Sequence, residues 1–469
     1  MAASFYHIFD KYFLLPVAEK LFGSNILGNY KELKKTDWLN EKDLTNVQNK
    51  KLSILVRHCY ESVPFYTNLF NKLGLTPDDI KNKEDLKKLP ILTKEIIRVN
   101  MDDLVSLDVK NRKTTQHSTG GSTGMPLTFK KDIQTWNIAW ASTFRAWEWY
   151  DFYFGEKIFT IAGNSLVKER KFFTAKDFFD RYIMRNYKHS SFEMKDSDMQ
   201  RHYKALMKTK PKAIRGYAST LYLFARYIES NQLPTPKTVR LLLTTGEILL
   251  PQYRQKLQQV FKVPLYDNYG AGDGGIASHE CYMHEGLHIS EERCVIEIVD
   301  RSGNLVEDGT LGHVITTDLD NFAFPFLRYK VGDMSYIKKE KCSCGRSSRL
   351  IGEVMGRAGK LLYNKQGEAI SPTMLPILLY RDMDYHNTEN QQIYNRIDKF
   401  RINQDKIGNM EILLKLKDKL DDKSQFNYVV DNYKTMFANS VIELKFVDDI
   451  PNLPSGKEDY VCSEYKEEK

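Results

Sequence analysis

The chain has 469 residues, 42% apolar and 28% charged, a soluble globular balance long enough for two or three domains with substantial cores. Its 69 basic and 61 acidic residues leave a net charge of +8 without a concentrated basic block, so nucleic-acid binding is not indicated, while mild attraction to an anionic surface or a nucleotide is compatible with it. Six cysteines are too few for a disulfide scaffold in a chain of this length.

At the N-terminus Asp10 and Lys11 interrupt any apolar run and no small-residue cleavage site follows one, so no signal peptide is expected. No run of about 18 apolar residues is present, so no membrane span is expected and the protein reads as cytoplasmic. The segment from Phe5 to Phe22 is amphipathic and rich in Phe and Leu; a helix docked on the core is the reading, a membrane-surface helix the alternative. Residues 1–115 read as mostly helical, with loops at Pro64, Pro77 and Pro90. Residues Ser118 to Pro126 then read Ser-Thr-Gly-Gly-Ser-Thr-Gly-Met-Pro. Glycines let a backbone turn tightly and aim successive N–H groups at an anion, and hydroxyls add donors without bulk. The spacing matches neither a P-loop nor a dinucleotide fingerprint, and taken alone an ordinary flexible loop explains it as well.

A helix is expected from about Asp132 to Tyr150, with Trp136, Trp140 and Trp147 close to one face and therefore in the core, and Trp149 beyond them. Lys157–Ala162 reads as a buried strand, Asp198–Thr209 as a helix, and Ala213–Ile214 as a short strand entering Arg215-Gly-Tyr217-Ala-Ser219. Ser219 is a plausible N-cap for a helix over Thr220 to Ser230. Val239–Thr244 is a strand ending in Thr245-Gly246-Glu247; a helix from about Pro251 follows, and Val263–Tyr266 leads into Asp267-Asn-Tyr269-Gly-Ala-Gly-Asp273. This alternation implies an α/β core with a parallel component, in which ligands sit beyond the carboxyl ends of strands. Thr245–Glu247 and Tyr269–Asp273 occupy that kind of position. From Gly286 to Ile337 the pattern turns β-rich, with strands at Val295–Val299, Gly312–Thr317 and Leu327–Val331. Past Arg357 an α+β pattern carries a Lys/Asp-rich helix near 418–438, so the expected domains are 1–356 and 357–469.

A second constellation is independent of the glycine-rich loop. Cys281, His288, Cys342 and Cys344 offer three thiolates and an imidazole, a Cys₃His set typical of structural Zn²⁺. His284 is an alternative ligand to His288, and Cys294 an alternative thiol whose place in a strand suggests core; unliganded residues falling at this spacing are the competing explanation. Cys59 and Cys462 read as buried or incidental. No Ser-His-Asp set, H-E-x-x-H or paired-carboxylate motif stands out, so a nucleophilic hydrolase is not supported.

Four motifs occur in one order: Ser118–Pro126, Tyr269–Asp273, Phe326-Leu-Arg328-Tyr-Lys-Val-Gly-Asp333 and Leu453-Pro-Ser-Gly-Lys457. Together they resemble the adenylate-forming superfamily of acyl-CoA synthetases, and within it the phenylacetate–coenzyme A ligase and CapK-like branch. Ser62-Val-Pro64-Phe-Tyr66 and Leu89-Pro90-Ile-Leu-Thr93-Lys94 extend the likeness over nearly the whole chain, and several members of the branch show the cysteine and histidine pattern as well. The resemblance implies an α/β fold, with a large N-terminal adenylation domain containing parallel sheet and a small mobile α+β C-terminal domain. It implies ATP-dependent activation of a carboxylic acid as an acyl-adenylate, with release of pyrophosphate. Transfer to coenzyme A follows, or to an amine or sugar, the latter fitting capsule or surface-polysaccharide synthesis.

Carried over residue by residue, Ser118, Thr119, Gly120, Gly121, Ser122, Thr123 and Gly124 would hold the β- and γ-phosphates. Gly246 and Glu247, with Asn268 and Tyr269, would line the nucleotide pocket. Asp333 would accept both ribose hydroxyls, and Arg357 would contact ribose or phosphate. Asp273 would help hold Mg²⁺. Tyr217, Ala218, Tyr269, Gly270 and Ala271 would line the acid pocket, and Lys457 would be the catalytic lysine. Three departures stand out: Gly272-Asp273 replaces a Thr-Glu pair, Ala358-Gly359-Lys360 replaces acids after Arg357, and Met125 stands where a basic residue is common. A zinc-stabilised binding protein that has kept the fold and lost the chemistry is the alternative, and the presence of both Asp333 and Lys457 argues against it. The oligomeric state is open, a homodimer included.

Overall fold

A computed structural model describes residues 5–118, 127–162, 174–190, 196–355, 362–364, 369–370, 375–379, 393–394, 396–418, 422–437, 440–451 and 460–463. The expected phosphate loop beyond Ser118, the domain boundary with Arg357, and Lys457 lie outside the described residues.

The first hundred residues are helical, but two of the three prolines begin helices instead of breaking them. Pro64 is the first residue of the helix Pro64–Leu73, and Pro77 opens a single 3₁₀ turn. At that position the missing N–H would have had no partner and the fixed φ already suits the helix. The segment Phe5–Phe22 is helical throughout, buries Leu15 and Ala18, and leaves Ile8, Phe9, Tyr12, Phe13, Val17 and Leu21 exposed on its other side.

Strands Thr114–Ser118 and Thr128–Asp132 form an antiparallel hairpin in which Ser118 pairs with Thr128. The glycine-rich segment thus leaves and re-enters the fold on one rung. The helix Ile133–Trp147 follows, and beneath it lies a five-stranded all-parallel sheet. Its order is Asn186–Ser190, Ile158–Ala162, Ala213–Gly216, Leu241–Thr244 and Leu265–Tyr266. Helix Ile133–Trp147 packs on one face through Phe144 and Trp147 against Ala213, Leu241 and Leu243. The helices Asp196–Thr209, Ala218–Ser230 and Pro251–Phe261 cover the other through Leu206, Phe224 and Leu257. Burial on both faces explains why these strands read as unbroken apolar runs and not as alternating ones.

Two antiparallel sheets continue the domain. One holds Asn268–Ala271, Ile276–Glu280, Leu287–Ile289 and Leu350–Ile351; the other holds Cys294–Val299, Gly312–Asp318 and Tyr329–Ser335. The last strand starts at Tyr329, later than its sequence suggests, because Arg328 takes a left-handed φ of +51°. Its guanidinium is held there by Glu297 at 2.9 Å and by the Leu89 carbonyl at 2.6 Å.

In the C-terminal part, strands Val441–Phe446, Asn409–Leu416, Ile397–Lys406 and Val461–Ser463 form one mixed sheet. The expected long helix is shorter, a turn over Ser424–Phe426 followed by Tyr428–Met436, with Val429 and Tyr433 buried against the sheet. Asp422 accepts from the Ser424 N–H at 2.8 Å and fixes where it begins. Tyr460 packs on this core and also on the cluster of Ala218, Tyr222, Leu250 and Tyr253 in the large domain, which joins the two. Among the described residues, no helix is long and apolar enough to cross a membrane.

Candidate active site and metal cluster

The strand Leu241–Thr244 ends in a turn at Gly246, whose φ of +76° is one that a side chain rarely tolerates. The turn sends Glu247 back to the helix Ala218–Ser230, where its carboxylate accepts from the Ser219 N–H at 2.9 Å. The expected N-cap is therefore reversed. Ser219 lies inside the helix, Tyr217 is the capping position without a side-chain bond, and an acid from the next strand end satisfies the orphan donor. Tyr217 and Ala218 are fully buried there, Tyr217 against Ala162.

Asn268 leads the next hairpin. Its Oδ1 accepts from the Thr245 hydroxyl at 2.8 Å and its Nδ2 donates to the Ser278 carbonyl at 2.8 Å. The same hairpin delivers Tyr269, Gly270 and Ala271 on its first strand and Asp273 at its turn. Tyr269 donates its hydroxyl to Asp333 Oδ2 at 2.9 Å, and Tyr329 donates to Asp273 Oδ2 at 3.0 Å. The two sheets thus bring Tyr269, Asp273, Tyr329 and Asp333 together, each acid with one oxygen fixed by a phenol.

Lys131 was not singled out by sequence reasoning, because Lys130-Lys131 reads as a pair on a surface strand. Its ammonium donates to the Gly272 carbonyl beside Asp273, and burial, opposed by Asp318, lowers its pKa. It supplies positive charge near the turn, where the sequence has none in the loop itself.

Behind these strand ends is a cavity lined by Thr143, Trp147, Arg215, Asp267, Asn268 and His279 among others. The Asp267 carboxylate faces it. Burial pushes this acid up to about 6, opposed by the Thr244 hydroxyl, which donates to it at 2.6 Å. Arg215 and His279 were missed as well. An arginine within an apolar strand and a histidine in a buried one carry no motif.

The metal-ligand candidates converge. Cys281, His288, Cys342 and Cys344 are all buried and offer ligand atoms within 4.8 Å of one another. Cys281 and Cys342 Sγ are 3.5 Å apart, and Cys344 Sγ is 3.3 Å from His288 Nε2. A tetrahedral Zn²⁺ requires about 3.8 Å between sulfurs and about 3.6 Å between sulfur and nitrogen, given ~2.3 Å and ~2.0–2.1 Å bonds, so the set fits the ion. Ser348 contacts the other ring nitrogen of His288 at 2.9 Å, the orienting contact such ligands need. Burial, then the charge of Arg346, holds His288 down to about 4, hence neutral and able to ligate. Arg346 donates to Cys344 Sγ and is clasped between the rings of Trp38 and Trp149. His284 is turned away by a left-handed φ of +56° and meets Glu280 at 3.0 Å. Cys294 and Cys59 are core residues.

Comparison with known proteins places this geometry in context. Residues 385–464 match the family model of the CapK C-terminal domain. The protein CapK of Staphylococcus aureus is 24% identical over 93% of this chain and 92% of its own. A phenylacetate–coenzyme A ligase of Pseudomonas putida is 25% identical over 70% of this chain and 73% of its own. Among solved structures, a 2-hydroxyisobutyryl-CoA ligase in its postadenylation state superposes with a TM-score of 0.71, covering 88% of both chains at 16% identity.

Proposed function

We propose that this homologue of CapK and the phenylacetate–coenzyme A ligases, which has the fold of the adenylate-forming CoA ligases, activates a carboxylic acid with ATP and passes the acyl group to an acceptor. The observation that carries the reading is the meeting of Asp273, in the hairpin turn, and Asp333, within the strand Tyr329–Ser335, each steadied by a tyrosine hydroxyl. In this reading the Asp333 carboxylate accepts from the ribose hydroxyls, an acceptor-only group suiting a vicinal diol. Gly246, Glu247, Asn268 and Tyr269 border the base, residues 118–124 take the β- and γ-phosphates, and Arg357 contacts ribose or phosphate. Asp273 would hold Mg²⁺, which offsets phosphate charge when bound. Lys457 stabilises the charge that develops as the acid oxygen bonds to the α-phosphorus and pyrophosphate leaves. The Cys₃His set would hold Zn²⁺ as a structural ion, because protein fills all four positions.

The acceptor divides the reading. Phenylacetate–coenzyme A ligases match 70–75% of this chain, which favours a thioester product. CapK and the CapK C-terminal model match the C-terminal residues as well, and an amine or sugar acceptor in surface-polysaccharide synthesis, which the resemblance to the CapK-like branch implies, is the second reading. Pyrophosphate release measured across a panel of acids without acceptor tests the first half-reaction; a panel with no acid-dependent release removes the proposal. Adding coenzyme A to an acid that reacts then decides between the acceptors.

Asp333→Ala is expected to weaken ATP binding by at least tenfold while the fold persists. A bond to a charged acceptor contributes about 1.5–3 kcal/mol, and Asp333 is not fully buried. Calorimetric titration with ATP checks this, and an unchanged affinity would remove the ribose assignment.

A further inference from the structure

Two donors without an acceptor face the cavity behind the strand ends. Arg215 projects from the central strand toward the helix Ile133–Trp147, its guanidinium 5.8 Å from the Trp140 ring and 5.6 Å from that of Trp147. Among the described residues no carboxylate or carbonyl accepts a bond from this guanidinium, and burial lowers it to about 10. The second donor is His279. The Asn268 amide is oriented by Thr245 and Ser278, so it is Nδ2 that lies 3.3 Å from His279 Nδ1. Nδ1 therefore accepts and the proton sits on Nε2, which is buried without a partner.

A buried donor without an acceptor, as at His279, is rare, and the half-buried guanidinium of Arg215 beside it presents a positive charge to the same cavity. Among the described residues the acid lining the cavity is Asp267, which is bonded to Thr244 and to the Asn268 backbone N–H. What the cavity lacks is an anionic acceptor, and an incoming ligand would supply it. The cavity volume is about 10 Å³, the room of about one water, so a carboxylate reaches the two donors only as the cavity widens around it, and a phenyl ring does not fit.

We propose that Arg215, together with Nε2–H of His279, receives a second carboxylate at the far end of the acid, so that the substrate class is a short dicarboxylic acid. This rests on the adenylation reading above. The near carboxylate forms the O–P bond to the α-phosphorus of ATP, and pyrophosphate departs with the electron pair of the broken P–O bond. The far carboxylate does not react; it stays ionised against the guanidinium in the planar, bidentate manner that arginine favours. A site built around such donors discriminates strongly, because a substrate without the acceptor leaves them buried and unpaired.

The test is acid-dependent pyrophosphate–ATP exchange by the full chain with malonate, succinate and glutarate, each set against the monocarboxylic acid of equal length and against phenylacetate. One diacid is expected to exceed its monoacid by on the order of 10². In Arg215→Met that ratio should fall by a similar factor, and Arg215→Lys should recover part of it. The same diacid should raise the melting temperature of the wild type and not that of Arg215→Met, a readout independent of turnover. Exchange with monoacids or phenylacetate that equals or exceeds every diacid overturns this inference and leaves adenylation standing. Exchange with no acid at all overturns the adenylation reading, and this inference falls with it.

Discussion

Lys457→Ala is expected to lower acid-dependent pyrophosphate exchange by on the order of 10²–10³, the scale of removing one preorganised electrostatic stabiliser. The reason is the nature of the group. A lysine ammonium is a compact positive charge that can touch the carboxylate oxygen and the α-phosphate together while charge moves between them. Pro454-Ser455-Gly456 before it suits a turn that projects one side chain, and Tyr460 just after it packs on both the small domain and the large-domain cluster of Tyr222 and Tyr253. The lysine is needed only while the adenylate forms. If the small domain then turns to present another face to the acceptor, transfer from a chemically supplied acyl-adenylate should hardly change in the variant. Both half-reactions are measured on the same preparation. Equal losses would point to misfolding or another role, and normal exchange would end the assignment.

Much of the large domain was legible because its physics is local. Ile158–Ala162 and Leu241–Thr244 are apolar runs of strand length flanked by helical periodicity, which is what a strand buried on both faces must look like. The strand-end positions of Thr245–Glu247 and Tyr269–Asp273 followed from that alternation. What stayed illegible depended on partners distant in sequence. Ser219 has the chemistry of an N-cap, yet the donor it would have served is met by Glu247, a residue from another strand end. Leu327 and Arg328 read as strand, yet a buried ion pair with Glu297 holds Arg328 in the left-handed region and delays the strand. Pro64 and Pro77 were read as loops when their flanks made them helix starts.

The candidate site divides in the same way. Asp333 and Asp273 carry motifs, and the structure adds the tyrosines that orient them. Arg215 carries none. Strand alternation puts it on the face of Ala213 and under the helix of tryptophans, but only the packed sheet shows that this face is covered and that, among the described residues, the guanidinium meets rings and no acid. The tryptophans read as core from their spacing alone. Trp147 is core, and with Trp140 it also flanks the charge.

Removing the metal from the Cys₃His cluster is expected to lower the melting temperature by about 10 °C, without a direct effect on the chemistry. Protein purified without chelators should carry about one Zn²⁺ per chain. Cys281 follows the strand Ile276–Glu280, His288 lies within Leu287–Ile289, and Cys342 and Cys344 precede Leu350–Ile351. One ion would therefore tie three strands of a sheet that is only two residues wide at its edge pairing. Without it, burial pushes the thiols of Cys281 and Cys342 up and leaves neutral thiols 3.5 Å apart, sharing one weak S–H···S hydrogen bond in place of the metal. Structural zinc supplies folding free energy outright. A loss of about 3–5 kcal/mol at roughly 2–4 °C per kcal/mol for a large domain gives the shift stated. Cys344→Ser should reproduce it, and cobalt in place of zinc should restore the melting temperature and leave exchange activity as it is with zinc, since all four positions are filled by protein. Elemental analysis showing no transition metal would remove the site. Activity that follows the identity of the metal while the melting temperature stays fixed would mean that the ion takes part in the chemistry.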